Sequence, residues 1–222
     1  MRTSFKAIVT FILDLLFPPK CVLCQQLLTE SGCRICKACE AEVNVFSHKP
    51  WKIPSVKQWI ALWQYSGVVR ESLVRYKFSN CRNYSSVYAE GLAKKLRQGD
   101  LKWDVMTWVP VSGLRLWERG YDQVKLLAQD VGKILDEKPI KLLHKCRHNR
   151  RQSRLKGLKA RQRNVQGAYK AVNEEYIKGK RILLLEDIVT TGSTVSECAR
   201  TLKAAGAKEV IVACVAVASK YN

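Results

Sequence analysis

The chain has 222 residues, 47% of them apolar and 26% charged, an ordinary globular composition that excludes a disordered, collagenous or coiled-coil protein. Its 39 Lys and Arg outnumber 19 Asp and Glu, which leaves a net charge of +20. An acidic small substrate alone does not require that excess; a polyanion does, either nucleic acid or an anionic membrane surface. At about 150 residues per domain, the length suits one full domain and a small appendage.

The first 19 residues, MRTSFKAIVTFILDLLFPP, set Arg2 and Lys6 ahead of an apolar run from Ala7 to Phe17. Asp14 interrupts the run, no small-residue cleavage site follows, and Pro18 and Pro19 end it, all of which argues against a signal peptide. The run is also shorter than the ~20 apolar residues that a bilayer span needs. The expectation for residues 1–19 is a short amphipathic helix with no integral membrane span. The neighbouring basic charge would suit a peripheral contact with a membrane surface.

Five of the nine cysteines lie between positions 21 and 39. A secreted disulfide framework would spread its bridges and favour an even count. Cys21 and Cys24 form one C-x-x-C pair, Cys36 and Cys39 another, with eleven residues between the pairs. Four soft thiolates at this spacing select zinc, and four protein ligands make the site structural rather than catalytic. Cys33 with Cys36 is a further C-x-x-C pair and a rival assignment. Ile35 and Val43 favour Cys36 and Cys39, because they frame a knuckle leading into a helix. Residues 20–50 therefore read as a zinc ribbon.

From residue 51 to 222 the pattern alternates. Strands are expected over 59–65, 103–111, 181–188 and 209–218, the second running out at Pro110. Helices are expected over 68–78, 84–97, 121–135 and 193–205, from apolar residues at helical spacing. Strands alternating with helices predict an α/β domain built on a doubly wound parallel sheet.

The stretch ILLLEDIVTTGST (182–194) carries the most chemistry. Buried apolar residues lead to two carboxylates, Glu186 and Asp187. Thr190, Thr191, Gly192, Ser193 and Thr194 then lead into a helix. A glycine turn with successive N–H groups at a helix N-terminus makes an anion nest, and the hydroxyls add donors. A phosphate in that loop beside carboxylates that accept from vicinal hydroxyls describes a ribose 5-phosphate. The loop lies where open α/β sheets bind ligands, outside the carboxyl ends of parallel strands. Removing either carboxylate is expected to relieve repulsion more than it costs packing.

This stretch resembles the signature of type I phosphoribosyltransferases, which bind phosphoribosyl pyrophosphate with magnesium. The resemblance implies that Glu186 and Asp187 hold the ribose hydroxyls and that Thr190 to Thr194 hold the 5-phosphate. QYSGVVRESLVRYKF (64–78), VPVSGLRLWERGYDQVKLLA (109–128), RQRNVQGAY (161–169) and the cysteine ribbon after LLFPP together resemble the ComF family (ComFC/GntX-like). The chain departs from that pattern at Ser112, where proline is usual, and at Tyr121 and Asp122, where Phe-Asn is usual. The family pairs a zinc ribbon with a phosphoribosyltransferase-like domain. It implies a role in natural transformation, on incoming single-stranded DNA beside a helicase partner of the ComFA type. That role implies a cytoplasmic protein, working at the inner face of the membrane.

By the same likeness, the loop after the second strand faces pyrophosphate through Val111, Ser112, Arg115 and Arg119, the arginines being able to grip phosphate oxygens bidentately. Residues 141–163 carry ten basic side chains and no acid. Besides Lys141 and Lys145 they are Arg147, Arg150, Arg151, Arg154, Lys156, Lys159, Arg161 and Arg163. Such a segment wants a polyanion, and these last eight are the candidate DNA contacts. Trp117, Tyr121 and Tyr169 are candidates for base stacking, with Trp103 and Trp108 assigned to the core. Two alternatives stand beside DNA handling: a magnesium-dependent transferase of nucleotide salvage, and a nucleotide-responsive regulator without turnover. The carboxylates and arginines are intact for chemistry, yet no segment reads as a base-recognition hood, so the sequence leaves turnover open.

Overall fold

The computed structural model describes residues 18–30, 32–43, 51–147 and 165–218. The expected amphipathic helix lies almost wholly outside them. So do residues 44–50 of the expected ribbon and Arg150, Arg151, Arg154, Lys156, Lys159, Arg161 and Arg163 of the basic segment.

In chain order the elements are α1 (Lys37–Glu42), β1 (Gln58–Gln64), α2 (Gly67–Phe78), α3 (Tyr84–Gln98), β2 (Val105–Trp108), α4 (Gly113–Arg119), α5 (Gln123–Leu135), β3 (Leu143–Lys145), β4 (Tyr169–Ala171), β5 (Arg181–Val189), α6 (Ser193–Ala204) and β6 (Glu209–Val217). Four strands make one sheet in the order β1-β6-β5-β2, every pair parallel. β3 and β4 form a separate antiparallel pair.

The continuous apolar runs of β5 and β6 have a direct cause. A parallel sheet is covered on both faces, so successive side chains bury on opposite sides. Leu183, Leu185, Ile211 and Ala213 pack with α2, α3 and α5 on one face. Ile182, Leu184, Val210 and Val212 pack with α6, Trp59 and the β3–β4 hairpin on the other. Each fully buried leucine contributes about 1.5–3 kcal/mol through the apolar area it removes from water.

Four local findings correct the sequence reading. β2 is shorter than the expected 103–111, although single ladder bonds extend it, from Asp104 N–H to Arg181 O at 2.9 Å and from Val109 N–H to Leu185 O at 3.0 Å. Pro110 has no N–H with which to continue. Helix α4 stands where only a loop was expected, from Ser112 as N-cap to Gly120 in the left-handed conformation at φ 74°. The β3–β4 hairpin was also not foreseen, because three-residue strands are too short to show a period. The helix expected from 121 starts at Gln123. Asp122 caps it, accepting from the N–H groups of Val124 and Lys125 at 3.1 and 3.0 Å.

Among the described residues, no helix is long and apolar enough to cross a membrane.

Candidate functional site

The cysteine segment folds as two knuckles. The first turns tightly, with Cys21 N–H bonded to Gln26 O at 2.8 Å and Gln25 at φ 69°. The second leads into α1, with Cys36 as N-cap and Cys39 inside the helix. The sulfurs of Cys21, Cys24, Cys36 and Cys39 all lie within 4.8 Å of one another, and Cys24 Sγ is 3.7 Å from Cys36 Sγ. Tetrahedral zinc with bonds of about 2.3 Å needs sulfurs about 3.8 Å apart, so this set fits the metal. Cys33 is outside the group, its Sγ 3.7 Å from the Glu30 carboxylate. Burial raises the Cys21 thiol, but N–H groups of Cys24, Cys36 and Leu23 outweigh it and bring the group to about 7. Burial pushes Cys24 and Cys39 up. Zinc, when bound, would take all four as thiolates and cross-link a segment with little core of its own.

The second site lies at the carboxyl end of the sheet. Glu186 and Asp187 are 7% and 4% exposed. As neighbours on a strand they serve opposite faces. Glu186 faces Lys145, Tyr169 and Cys198, on the α6 side. Asp187 faces α2 and α5. Its Oδ1 accepts from Lys77 Nζ at 2.9 Å and its Oδ2 from Gln123 Nε2 at 3.1 Å. Glu186 Oε1 accepts the Asp187 N–H at 2.9 Å. Burial, then the charge of Asp187, holds Glu186 well above the usual carboxylate range. Burial also works against ionised Asp187, but Lys77 and Gln123 overcome it and hold the group low. The two carboxyls are thus pushed in opposite directions, Glu186 toward the protonated acid and Asp187 toward the anion, which suits the pair to hydroxyls. Gln123 Oε1 is buried with no hydrogen-bond partner among the described residues, an additional acceptor at the same point.

Beyond the carboxylates the chain turns through Thr190 and Thr191 to Gly192, the N-cap of α6, at φ 77°. A Cβ there would meet Ile53 side-chain atoms at 3.2 and 3.3 Å, so glycine is required by conformation and by space. Thr191 Oγ1 and Ser193 Oγ are 2.8 Å apart. A small pocket is lined by Ile188, Val189, Thr190, Gly192, Ser193, Thr194 and Val195. The Gly192 N-cap brings no side chain of its own to the first N–H groups of the helix. The first of these, on Ser193, donates to Thr191 Oγ1 at 3.4 Å, and the hydroxyls and N–H groups together suit an anion.

Of the residues expected on the pyrophosphate side, Ser112 is buried and Val111 N–H donates to Asp122 Oδ2 at 3.4 Å, which ties the loop to α5. Arg115 and Arg119 sit one turn apart on α4 and share a face. The Arg119 guanidinium lies 5.0 Å over the Phe78 ring, and its charge reaches Asp187. Arg115 acts on Lys145, whose ammonium is 5.1 Å over the Tyr169 ring and is pushed down by burial. Arg147 is exposed at the end of β3 and donates to Gln166 O across the hairpin. The stacking candidates narrow. Tyr121 and Tyr169 are buried, whereas Trp117 on α4 is 83% exposed.

Lys77 and Gln123 are site residues that sequence reasoning missed. Lys77 is one more cation at the end of a helix, and only the fold brings it across 110 positions to Asp187. Gln123 follows Arg119 by four residues, and the sequence reading singled out the arginine instead.

The family described as the phosphoribosyl transferase domain matches residues 88–221, and the double zinc ribbon domain matches residues 12–51. Among curated proteins the chain is similar to competence protein F of Haemophilus influenzae, at 29% identity over 167 residues that cover 72% of each chain. It is similar to competence protein ComFC of Streptococcus pneumoniae, at 28% identity, covering 86% of this chain and 77% of that one. The DNA utilization protein YhgH of Escherichia coli matches at 26% identity over 221 residues, covering 89% of this chain and 96% of that one. With a zinc ribbon set ahead of the parallel sheet and its paired carboxylates, the chain belongs to the phosphoribosyl transferase domain family, as a member of the ComF type.

Proposed function

We propose that this protein handles incoming single-stranded DNA in natural transformation, and that its transferase fold keeps a pocket for phosphoribosyl pyrophosphate with magnesium. The observation that carries the pocket is the unlike pair of buried carboxylates directly before the Gly192 turn. In this reading Asp187 accepts from one ribose hydroxyl, Glu186 donates to or accepts from the other, and residues Thr190 to Thr194 surround the 5-phosphate. Val111, Ser112, Arg115 and Arg119 face the diphosphate. Magnesium, when bound with it, would spread the diphosphate charge.

The DNA half rests on the net charge of +20, the acid-free basic segment and the names of the relatives. Arg147, Arg150, Arg151, Arg154, Lys156, Lys159, Arg161 and Arg163 would follow the phosphates of a single strand. A helicase of the ComFA type, at the cytoplasmic side of the membrane, is the partner this role calls for.

Calorimetric titration with phosphoribosyl pyrophosphate and magnesium tests the pocket, and turnover across a panel of bases tests the chemistry. Binding without turnover fits the DNA-handling reading. Pyrophosphate release with one base would make the protein a salvage transferase. No binding by the parent protein would remove the pocket.

A further inference from the structure

Helix α2 touches both sites. At its middle, Ser72 Oγ donates to Val22 O at 2.7 Å, and the Ser72 and Tyr88 hydroxyls are 2.6 Å apart in the core. One turn on, the Arg75 guanidinium donates to Leu23 O and, at 3.3 Å, to Val22 O. Val22 and Leu23 are the two residues between the zinc ligands Cys21 and Cys24, so α2 is fastened to the inside of the first knuckle. At the other end, Lys77 reaches Asp187 at 2.9 Å. Between them, Tyr76 OH donates to Gln123 O at 2.6 Å, and Tyr121 OH donates to Tyr76 O. Both side chains that donate to Asp187 are therefore held by α2, Lys77 by belonging to it and Gln123 through Tyr76.

We infer that the zinc ribbon sets the geometry of the sugar pocket through α2, and that Lys77 is the positioning residue that delivers this setting to Asp187. The inference rests on the reading of Asp187 as a ribose ligand. A knuckle this small does not keep its turn without metal. When the turn opens, the carbonyls of Val22 and Leu23 leave Ser72 and Arg75. Ser72 is buried and Arg75 half-buried. Ser72 keeps its contact with Tyr88 and Arg75 its ion pair with Glu71 at 3.9 Å, but each loses the carbonyl that fixes it to the knuckle. Losing these hydrogen bonds along one helix is costly enough to shift it. The shift carries Lys77 and the Tyr76 hydroxyl with it, so Asp187 loses its fixed orientation. The coupling runs through packed, hydrogen-bonded side chains along one rigid element, which is the physical requirement for communication between sites.

The test uses the full chain and three readings: zinc content, hydrogen exchange of residues 72–78 and of β5 and β6, and titration with phosphoribosyl pyrophosphate and magnesium. Removing zinc with a chelator is expected to release protection in 72–78 while β5 and β6 keep theirs, and to weaken binding by a factor in the usual range for coupled sites, about 5- to 150-fold. Lys77→Met is expected to keep its zinc and lose affinity to the same extent, and Lys77→Arg to recover most of it, which a merely structural lysine would not require. Parental protection and affinity in the zinc-free protein would overturn the inference, as would parental affinity in Lys77→Met. If the zinc-free protein precipitates, Arg75→Met carries the same test with all four ligands in place. Lost protection in 72–78 supports the coupling, and parental protection refutes it. A parent protein that binds no phosphoribosyl pyrophosphate removes the pocket reading alone, because the exchange arm reads the link between ribbon and α2 without ligand.

Discussion

Glu197 accepts the backbone N–H of Gly167 at 2.7 Å, which fastens the chain entering β4 to α6. Arg200 grips the same carboxylate through two nitrogens at 2.7 and 2.8 Å, and Cys146 N–H bonds Ala168 O at 2.9 Å. The described chain on either side of residues 148–164 is thus drawn together between β3, β4 and α6. The Arg200 hydrogen bonds, against the opposing effect of burial, hold Glu197 below its ordinary value. A carboxyl depressed in the folded state stabilises fully above its unfolded value of about 4.3, and that contribution is lost as pH falls through the folded value. Glu197→Gln is expected to lower the melting temperature by about 2–4 °C at pH 7, as a loss of about 1 kcal/mol would in a domain of this size. The deficit should hold steady from pH 6 to 8 and shrink below about pH 4. Melting curves across that range check it, and a deficit that persists unchanged at pH 3 would count against the ion pair as its cause.

The two pocket carboxylates should not respond alike to removal. The sequence led to the expectation that losing either relieves repulsion, and for Glu186, which burial and the charge of Asp187 push toward the protonated acid, Glu186→Gln should cost less than about 1 kcal/mol. Asp187 is different, because Lys77 and Gln123 depend on it. Asp187→Asn leaves a largely buried ammonium without its counter-ion and should cost about 1–3 kcal/mol. Urea melts of the two variants decide this, and equal costs would contradict the asymmetry.

For the ribbon, serine at Cys21, Cys24, Cys36 or Cys39 should each reduce bound zinc well below one equivalent, and Cys33→Ser should not. Because burial holds Cys24 and Cys39 up as thiols, zinc must displace protons from them. Apparent affinity, measured against a competing chelator, should therefore rise as pH rises. A pH-independent affinity would mean that the thiols are already ionised.

How much of this could be read from the sequence depends on whether a residue's neighbours are near in the chain. β5 and β6 announce themselves, because burial on both faces forces consecutive apolar residues, Ile182 to Leu185 and Val210 to Val217. The two C-x-x-C pairs do so because metal ligation imposes spacing. Helix α4 hid for the opposite reason: Leu114, Leu116 and Trp117 are exposed, so its apolar residues follow no buried face. Its boundary signals, Ser112 and Gly120, were present all the same. The Lys77 contact to Asp187 has no local signature and arises only from the way α2 crosses the sheet.

Binding of single-stranded DNA should separate charge from stacking. If about five phosphates are neutralised, log K should fall against log salt with a slope of roughly −3 to −4, from about 0.7 per phosphate. Changing Arg150, Arg151 and Arg154 to alanine should flatten that slope by about 2. Trp117→Ala should leave the slope alone and weaken binding by about 5- to 150-fold, from the 1–3 kcal/mol that base stacking supplies. A triple variant with the parental slope would move the DNA path off this segment. A parent with no affinity at low salt would end the DNA reading.

The burial of Val22 and Leu23 against α2 and α3 bears on how this protein can be divided. By length alone the cysteine segment looks like a detachable module, something to be trimmed for expression or swapped between homologues. Yet it roofs one face of the transferase core. A chain begun at residue 51 would remove Val22 and Leu23 from this shared core and take away the carbonyls that Ser72 and Arg75 bond and the Gln25 partner of the Tyr84 hydroxyl. Such a fragment should be sticky rather than merely metal-free. Chimaeras should tolerate a foreign ribbon only when α2 travels with it.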